Sequence, residues 1–247
     1  SHPHAVTLFD AGKTDSGVAW IALELVPGVT LDRLLRAEGP LPARRVFGIL
    51  RQIASALAHA HRRDIVHRDI KPSNVMLSPD DAGGDIVKVL DFGLAKRLSH
   101  EDRAQVRTSI VGTPLFMAPE SSDPASEVGP EVDVYGVGMI GYALLTGTFL
   151  FGDHSPQSLA RAHLTEPPLP PSLKTDADVP PDLERVILRC LAKDPRGRYA
   201  DGGALLDALE GCEPPPETNA APPIRPPQRS GIAERELVDT KAFPLVK

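Results

Sequence analysis

Cysteine is scarce. The 247 residues contain two, Cys190 and Cys212, with no C-x-x-C pair. That excludes a disulfide framework and a thiolate-ligated metal centre, and it fits a reducing, cytoplasmic setting. An excess of positive charge is also absent, the formal net charge being −6. Broad binding to nucleic acid or to anionic membranes is therefore not expected. No internal repeat is visible, and no signal peptide precedes the first strand-like stretch. The chain opens on Ser1 rather than Met, which points to a start codon further upstream. One long uncharged run stands out, VYGVGMIGYALLTGTFLF at 134–151. It is at the short end for a membrane-spanning helix, lacks basic anchors and is abutted by Asp133, so it reads as a helix buried in a core.

What is present suits one globular domain. Hydrophobic residues make up 41% of the chain, enough for a sizeable core. Arg outnumbers Lys, and Ala, Pro and Gly are abundant, the composition of a GC-rich bacterial genome. Two stretches imitate phosphate-binding loops: GVGMIG at 136–141 and TLFDAGKT at 7–14. A loop of that kind opens a helix, so that backbone N–H groups and the helix dipole meet the anion. GVGMIG lies inside the apolar run with no strand before it. In TLFDAGKT the first glycine is replaced by Thr7. Its G-K-T falls in DAGKTDSG, the turn-rich link of a predicted β-hairpin between AVTLF (5–9) and VAWIALELV (18–26).

Downstream, TLDRLLRA (30–37) predicts a short helix capped by Thr30. Apolar residues at three- and four-residue spacing predict a longer helix over about 43–62. IVHRDIKPSNVML and DIVKVLDFGLA then form short strands and polar clusters around the loop PDDAGGD (79–85). Beyond Pro119 the pattern turns helical, at about 131–146, 156–164, 181–192 and 201–210, with a proline-stiffened connector at TEPPLPPSLKTDADVPP. From Glu213, EPPPETNAAPPIRPPQR predicts a disordered linker or tail; docking as a polyproline segment is the less favoured alternative.

HRDIKPSN at 67–74, DFG at 91–93 and GTPLFMAPE at 112–120 carry the chemistry. Phosphoryl transfer asks a protein for positioning and charge neutralisation. A carboxylate orients the acceptor hydroxyl, a cation meets the transferring group, and two hard oxygen ligands hold Mg2+. Asp69, Lys71, Asn74 and Asp91 are residues of those kinds. In this order and spacing, H-R-D-x-K-x-x-N, D-F-G and A-P-E resemble the signature of bacterial eukaryotic-like (Hanks-type) serine/threonine protein kinases, over about residues 2–210.

The resemblance implies an α+β fold of protein-kinase type and transfer of the ATP γ-phosphoryl group to protein Ser or Thr, with Mg2+. It makes Asp69 the catalytic base and brings Lys71 to the γ-phosphate. Lys71 and Thr113 mark Ser/Thr specificity. Asn74 and Asp91 bind Mg2+. The hinge falls at Glu24 to Val26, whose backbone meets adenine, with Leu23 as gatekeeper and Met76 beneath the ring. Glu120 pairs with Arg198, Asp133 anchors the HRD backbone, and His67 packs under D-F-G, which Phe92 and Gly93 complete. Arg68, with Lys96, clamps a phosphate on the activation loop, at Thr108 or Ser109. Autophosphorylation in trans would make a second copy a partner.

The family's Gly-rich loop, V-A-I-K lysine and helix glutamate have no counterpart in these 247 residues. The expectation is a two-stranded remnant of the upper lobe over 1–26, a lower lobe over 27–212 and a tail over 213–247. Two strands are rarely stable alone and leave an edge unpaired. The first reading is a protein kinase that is weak or inactive as this chain; the alternative is a non-catalytic pseudokinase scaffold. A small-molecule kinase is disfavoured, because the A-P-E segment and Thr113 form a docking shelf for peptide. His59, His61 and His67 are not expected to form a metal site, since positions i and i+2 do not share a helix face. Cys190 is expected to be buried, no role is visible for Cys212, and Phe9 and Trp20 are expected to pack within the hairpin.

Overall fold

A computed structural model describes residues 1–14, 19–80, 84–90, 92, 114–122 and 128–216. Strands β1 (Leu8–Lys13) and β2 (Ala19–Leu23) form an antiparallel hairpin with Gly12 opposite Trp20. The expected turn at 10–17 is shorter than the sequence suggested, because Asp10–Lys13 belongs to β1. Gly12 permits that extension: the Trp20 indole lies across it, and a Cβ there would stand 2.9 Å from Trp20 Cζ2. The G-K of the false phosphate loop is thus strand, and it opens no helix. The hairpin does not enclose its apolar side chains as expected. Phe9 is 68% exposed, and Trp20, though it covers Gly12, is 41% exposed.

A second sheet has the order β3-β4-β5, from Val29–Thr30, Val75–Pro79 and Asp85–Val89, all antiparallel. Gly28 precedes it at φ 147, where a Cβ would collide with the Leu77 carbonyl. The outer edge of β5 is closed twice. Val6 N–H donates to the Val89 carbonyl and Val89 N–H to the His4 carbonyl, both at 2.9 Å. Further along, Gln52 acts like a short strand: its Oε1 accepts from Val87 N–H and its Nε2 donates to the Asp85 carbonyl, both at 2.9 Å. This matters because an uncovered edge invites pairing with another chain.

Six α-helices complete the described residues: α1 (Leu31–Glu38), α2 (Ala43–His61), α3 (Glu131–Thr146), α4 (Pro156–Thr165), α5 (Pro181–Cys190) and α6 (Gly202–Glu210). Thr30 occupies the N-cap position of α1, but its side chain makes no capping bond. The centre of the core is α3, buried at every residue from Val132 to Thr146. That accounts for the uncharged run, which is apolar on all sides because α3 is surrounded by protein. Its three glycines are contact points. A Cβ at Gly136 would lie 2.7 Å from the Ile70 carbonyl oxygen, one at Gly138 2.7 Å from Cys190 Cβ, and one at Gly141 2.9 Å from Leu50 Cδ1. GVGMIG therefore lets α3 press against α2, α5 and the loop at 67–74. Among the described residues no helix is long and apolar enough to cross a membrane.

Candidate active site

The site is built outward from Asp133, on the first turn of α3 and 1% exposed. Its Oδ2 accepts from His67 N–H and its Oδ1 from Arg68 N–H, both at 2.7 Å. His61, at the end of α2, adds a third bond at 2.9 Å to Oδ2. The Gly202 N–H donates to His61 Nδ1 at 2.9 Å, so the His61 proton sits on Nε2 and points to the carboxylate. One buried carboxylate thus ties together α2, α3, the N-terminus of α6 and the loop. It also stabilises Arg68 at φ 68, a left-handed conformation that costs a non-glycine residue about 1 kcal/mol or more.

His67 continues the chain of bonds. Its Nε2–H donates to the Leu90 carbonyl at 2.7 Å, which leaves Nδ1 to accept from Asp69 N–H at 3.2 Å. Its ring meets Phe92 edge-on, with centroids 4.9 Å apart. Asn74 closes the loop: its Nδ2 donates to both the backbone oxygen and Oδ2 of Asp69, each at 2.8 Å. Lys71 Nζ lies 2.8 Å from the same Oδ2. Asp69, Lys71 and Asn74 therefore converge, with the Asp69 carboxylate more than half exposed and open to a reactant. Asp91 and Gly93 lie outside the described residues. Their neighbour Leu90 is fixed to this loop at both ends, by His67 at its carbonyl and by its own N–H to the Asn74 carbonyl at 2.8 Å.

Beyond the loop, Glu120 and Arg198 form a two-pronged ion pair with N···O distances of 2.7 and 2.8 Å. Arg198 also donates to the carbonyls of Ala192, Glu131 and Lys193, and its guanidinium lies 4.8 Å from the Tyr135 ring centroid. A buried guanidinium satisfied on this scale holds the Pro119–Ser122 turn to the helical body.

A sequence profile of the protein kinase domain matches residues 1–208. The chain belongs to the protein kinase domain family. Curated relatives include the serine/threonine-protein kinase pkn3 of Myxococcus xanthus, 39% identical over 217 residues, covering 86% of this chain and 40% of that protein. Another is PknB of Mycolicibacterium smegmatis, 37% identical over 203 residues, covering 81% of this chain and 32% of that protein. The chain thus spans well under half the length of these relatives. Among solved structures, that of Rad53 residues 1–466 in complex with AMP-PNP superposes with a TM-score of 0.69 at 27% identity, covering 84% of this chain and 50% of that one. The α+β architecture is that of a protein kinase.

In this kinase domain the remaining expected residues fall as follows. Leu23 ends β2 and is partly exposed; Val26 is half-buried. Glu24 turns its carboxylate to Thr7 N–H at 3.0 Å and to Lys88 Nζ at 2.7 Å. The bond from Lys88 and that from the Thr7 N–H hold this carboxyl below its ordinary range. Met76 is paired with Lys88 across β4 and β5. Lys88 thereby ties Glu24 to the β4–β5 pair that carries Met76, a role that a lone lysine in DIVKVL did not announce. Lys96, Thr108, Ser109 and Thr113 lie outside the described residues. His61 is engaged with Asp133 and Gly202, a use that its spacing from His59 and His67 could not reveal. Burial pushes the Cys190 thiol up to about 12, the state of an inert core residue.

Proposed function

We propose that this protein transfers the γ-phosphoryl group of ATP to a Ser or Thr hydroxyl of a protein, and that these 247 residues alone, which lack the Gly-rich loop and strand lysine, do so weakly or not at all. The observation that supports the reading is the convergence of Asp69, Lys71 and Asn74 at 2.8 Å on a loop fixed from beneath by Asp133. The donor set suits a magnesium nucleotide. With Nδ2 turned to Asp69, the Asn74 amide oxygen is left as a hard ligand, and Asp91 supplies a carboxylate. Mg2+, when bound, neutralises phosphate charge and favours departure of ADP.

Asp69 accepts and orients the acceptor hydroxyl through its exposed oxygen. As the hydroxyl oxygen bonds to the γ-phosphorus, the bond from that phosphorus to the β,γ-bridging oxygen breaks, and the hydroxyl proton passes to Asp69. Lys71 leaves its contact with Asp69 to meet the charge on the transferring group. Glu24 to Val26, Leu23 and Met76 line the adenine end. Thr113 supports the acceptor, and Arg68 with Lys96 receives a phosphate on Thr108 or Ser109. Transfer between two copies of the chain would place it there, and the reaction belongs in the cytoplasm, where ATP is supplied.

The test is Asp69→Asn in a form of the protein that carries the Gly-rich loop and strand lysine. Phosphoryl transfer to an acceptor protein should fall by about 10²–10⁴-fold, while calorimetric binding of ATP with Mg2+ stays nearly unchanged. Unfolding of the variant would make Asp69 structural. A parent protein that folds but binds no ATP would replace this reading with that of a non-catalytic pseudokinase scaffold.

A further inference from the structure

Gln52 carries a half-buried amide on α2 that the proposed chemistry does not use. Its Oε1 accepts from Val87 N–H and its Nε2 donates to the Asp85 carbonyl, both at 2.9 Å. Nε2 also lies 3.4 Å from the Gly48 carbonyl, one turn earlier on the same helix. Two carbonyls beside the nitrogen and an N–H beside the oxygen fix which way round the amide sits. Arg45, two turns before Gln52 and so on the same face of α2, grips the Asp85 carboxylate at 2.7 and 3.1 Å. Two side chains of one helix thus hold the start of β5.

Val87 and Val89 are fully buried, so water cannot replace a missing partner at their backbone groups. Beyond Gln52 the edge of β5 passes to the N-terminal segment: His4 Nδ1 lies 3.1 Å from the Val87 carbonyl, and Val89 bonds to His4 and Val6. The register set in this way reaches the candidate site. Val87 lies opposite Leu77, and Val89 opposite Val75, the residue after Asn74. Leu90, which follows β5 directly, donates its N–H to the Asn74 carbonyl at 2.8 Å and accepts from His67 Nε2 at 2.7 Å. At one end β5 is held by α2; at the other it holds the loop that carries Asn74.

We propose that Gln52 is a positioning residue for Asn74: its amide fixes the register of β5 on α2, and β5, through Val89 and Leu90, fixes the backbone from which the Asn74 amide oxygen meets a magnesium nucleotide. The inference rests on the protein-kinase reading above. The test compares Gln52→Met, similar in length and without hydrogen bonds, with Gln52→Glu, which still accepts from Val87 N–H but cannot donate to the Asp85 carbonyl. Hydrogen exchange on the nucleotide-free protein should quicken in Gln52→Met at amides 74, 75 and 90 as well as at 87, and stay unchanged in α3. Kinetics are read in the form that carries the Gly-rich loop and strand lysine. There, Gln52→Met should raise the Mg2+ concentration for half-maximal transfer by about three- to tenfold and move the acceptor KM by less than about twofold. Gln52→Glu should fall between, and it is the variant read by the same criteria where Gln52→Met does not fold. Gly138→Ala, destabilised through α5 instead, should leave the Mg2+ dependence unchanged. Unchanged exchange at 74, 75 and 90, equal shifts in Mg2+ requirement and acceptor KM, or the same Mg2+ shift in Gly138→Ala would overturn the inference alone. A parent protein that transfers no phosphoryl group in the longer form would overturn the kinase reading and this inference with it.

Discussion

Asp133 shows how much one side chain organises. Its two oxygens take three hydrogen bonds from His61, His67 and Arg68. The carboxylate is affordable in the core only because every bond comes from a fixed donor. His163 is the opposite case, a buried imidazole that excludes charge. Its folded-state value, about 4, lies below the ordinary 6.5. Between those values the unfolded chain takes up a proton that the folded chain refuses. The stability this neutral ring contributes is thus fully present above pH 6.5 and is lost as pH falls toward 4, at up to about 1.4 kcal/mol per pH unit. His2 and His4 are lowered in the same direction, chiefly by burial, and add to the slope. Urea midpoints at pH 7, 6 and 5 should therefore fall less steeply for His163→Leu than for the parent; parallel lines would count against the assignment.

At the scale of elements, α3 is the part whose sequence invites misreading. The same six residues serve a phosphate loop in one context and helix packing in another, and the deciding difference is what surrounds the backbone. Gly136 faces the backbone of Ile70, inside the loop that carries Asp69, whereas Gly138 faces the Cys190 side chain on α5. Gly136→Ala should therefore shift the loop and reduce both stability and phosphoryl transfer. Gly138→Ala should cost stability alone, about 1–3 kcal/mol for each by overpacking. Thermal melts paired with transfer assays separate the two; equal loss of activity per degree of melting would refute the distinction. Helix periods were readable because α2 and α5 each present one apolar stripe. The hairpin forms as expected, and its turn is shorter for a local reason. Asp10, Gly12 and Lys13 have poor strand preference, and their pairing is decided by the partner strand with Trp20 over Gly12.

Taken as a whole, the molecule is unevenly buried. The core runs through α1, α2, α3, α5, α6 and the β3-β4-β5 sheet, while Phe9, Ile21 and Leu25 of the hairpin region lie open. A two-stranded sheet with an exposed apolar face has little to oppose its opening. Backbone amides of β1 and β2 should accordingly exchange with solvent orders of magnitude faster than those of α3. Comparable protection in both would show that the hairpin is covered in solution. The edge of β5, by contrast, is occupied by Gln52 and the His4–Val6 segment.

The order and spacing of H-R-D, D-F-G and A-P-E, the helix periods and the buried character of residues 134–146 were legible in the chain itself, because each depends on residues a few positions apart; the run's last five residues, 147–151, lie beyond the helix and Thr148 is exposed. Of the distant partners, the resemblance implied Asp133 beneath H-R-D, His67 under D-F-G and Glu120 with Arg198, and no others. His61 meets Asp133 from 72 positions away, and Lys88 meets Glu24 from 64. His163 looks like any helix histidine until α3 places Tyr135 against it. Local pattern determines which face of an element is apolar. Which distant donor reaches a buried acceptor is settled only when those faces pack, because inside a core the unpaired group is the costly one and packing selects the arrangement that leaves fewest of them.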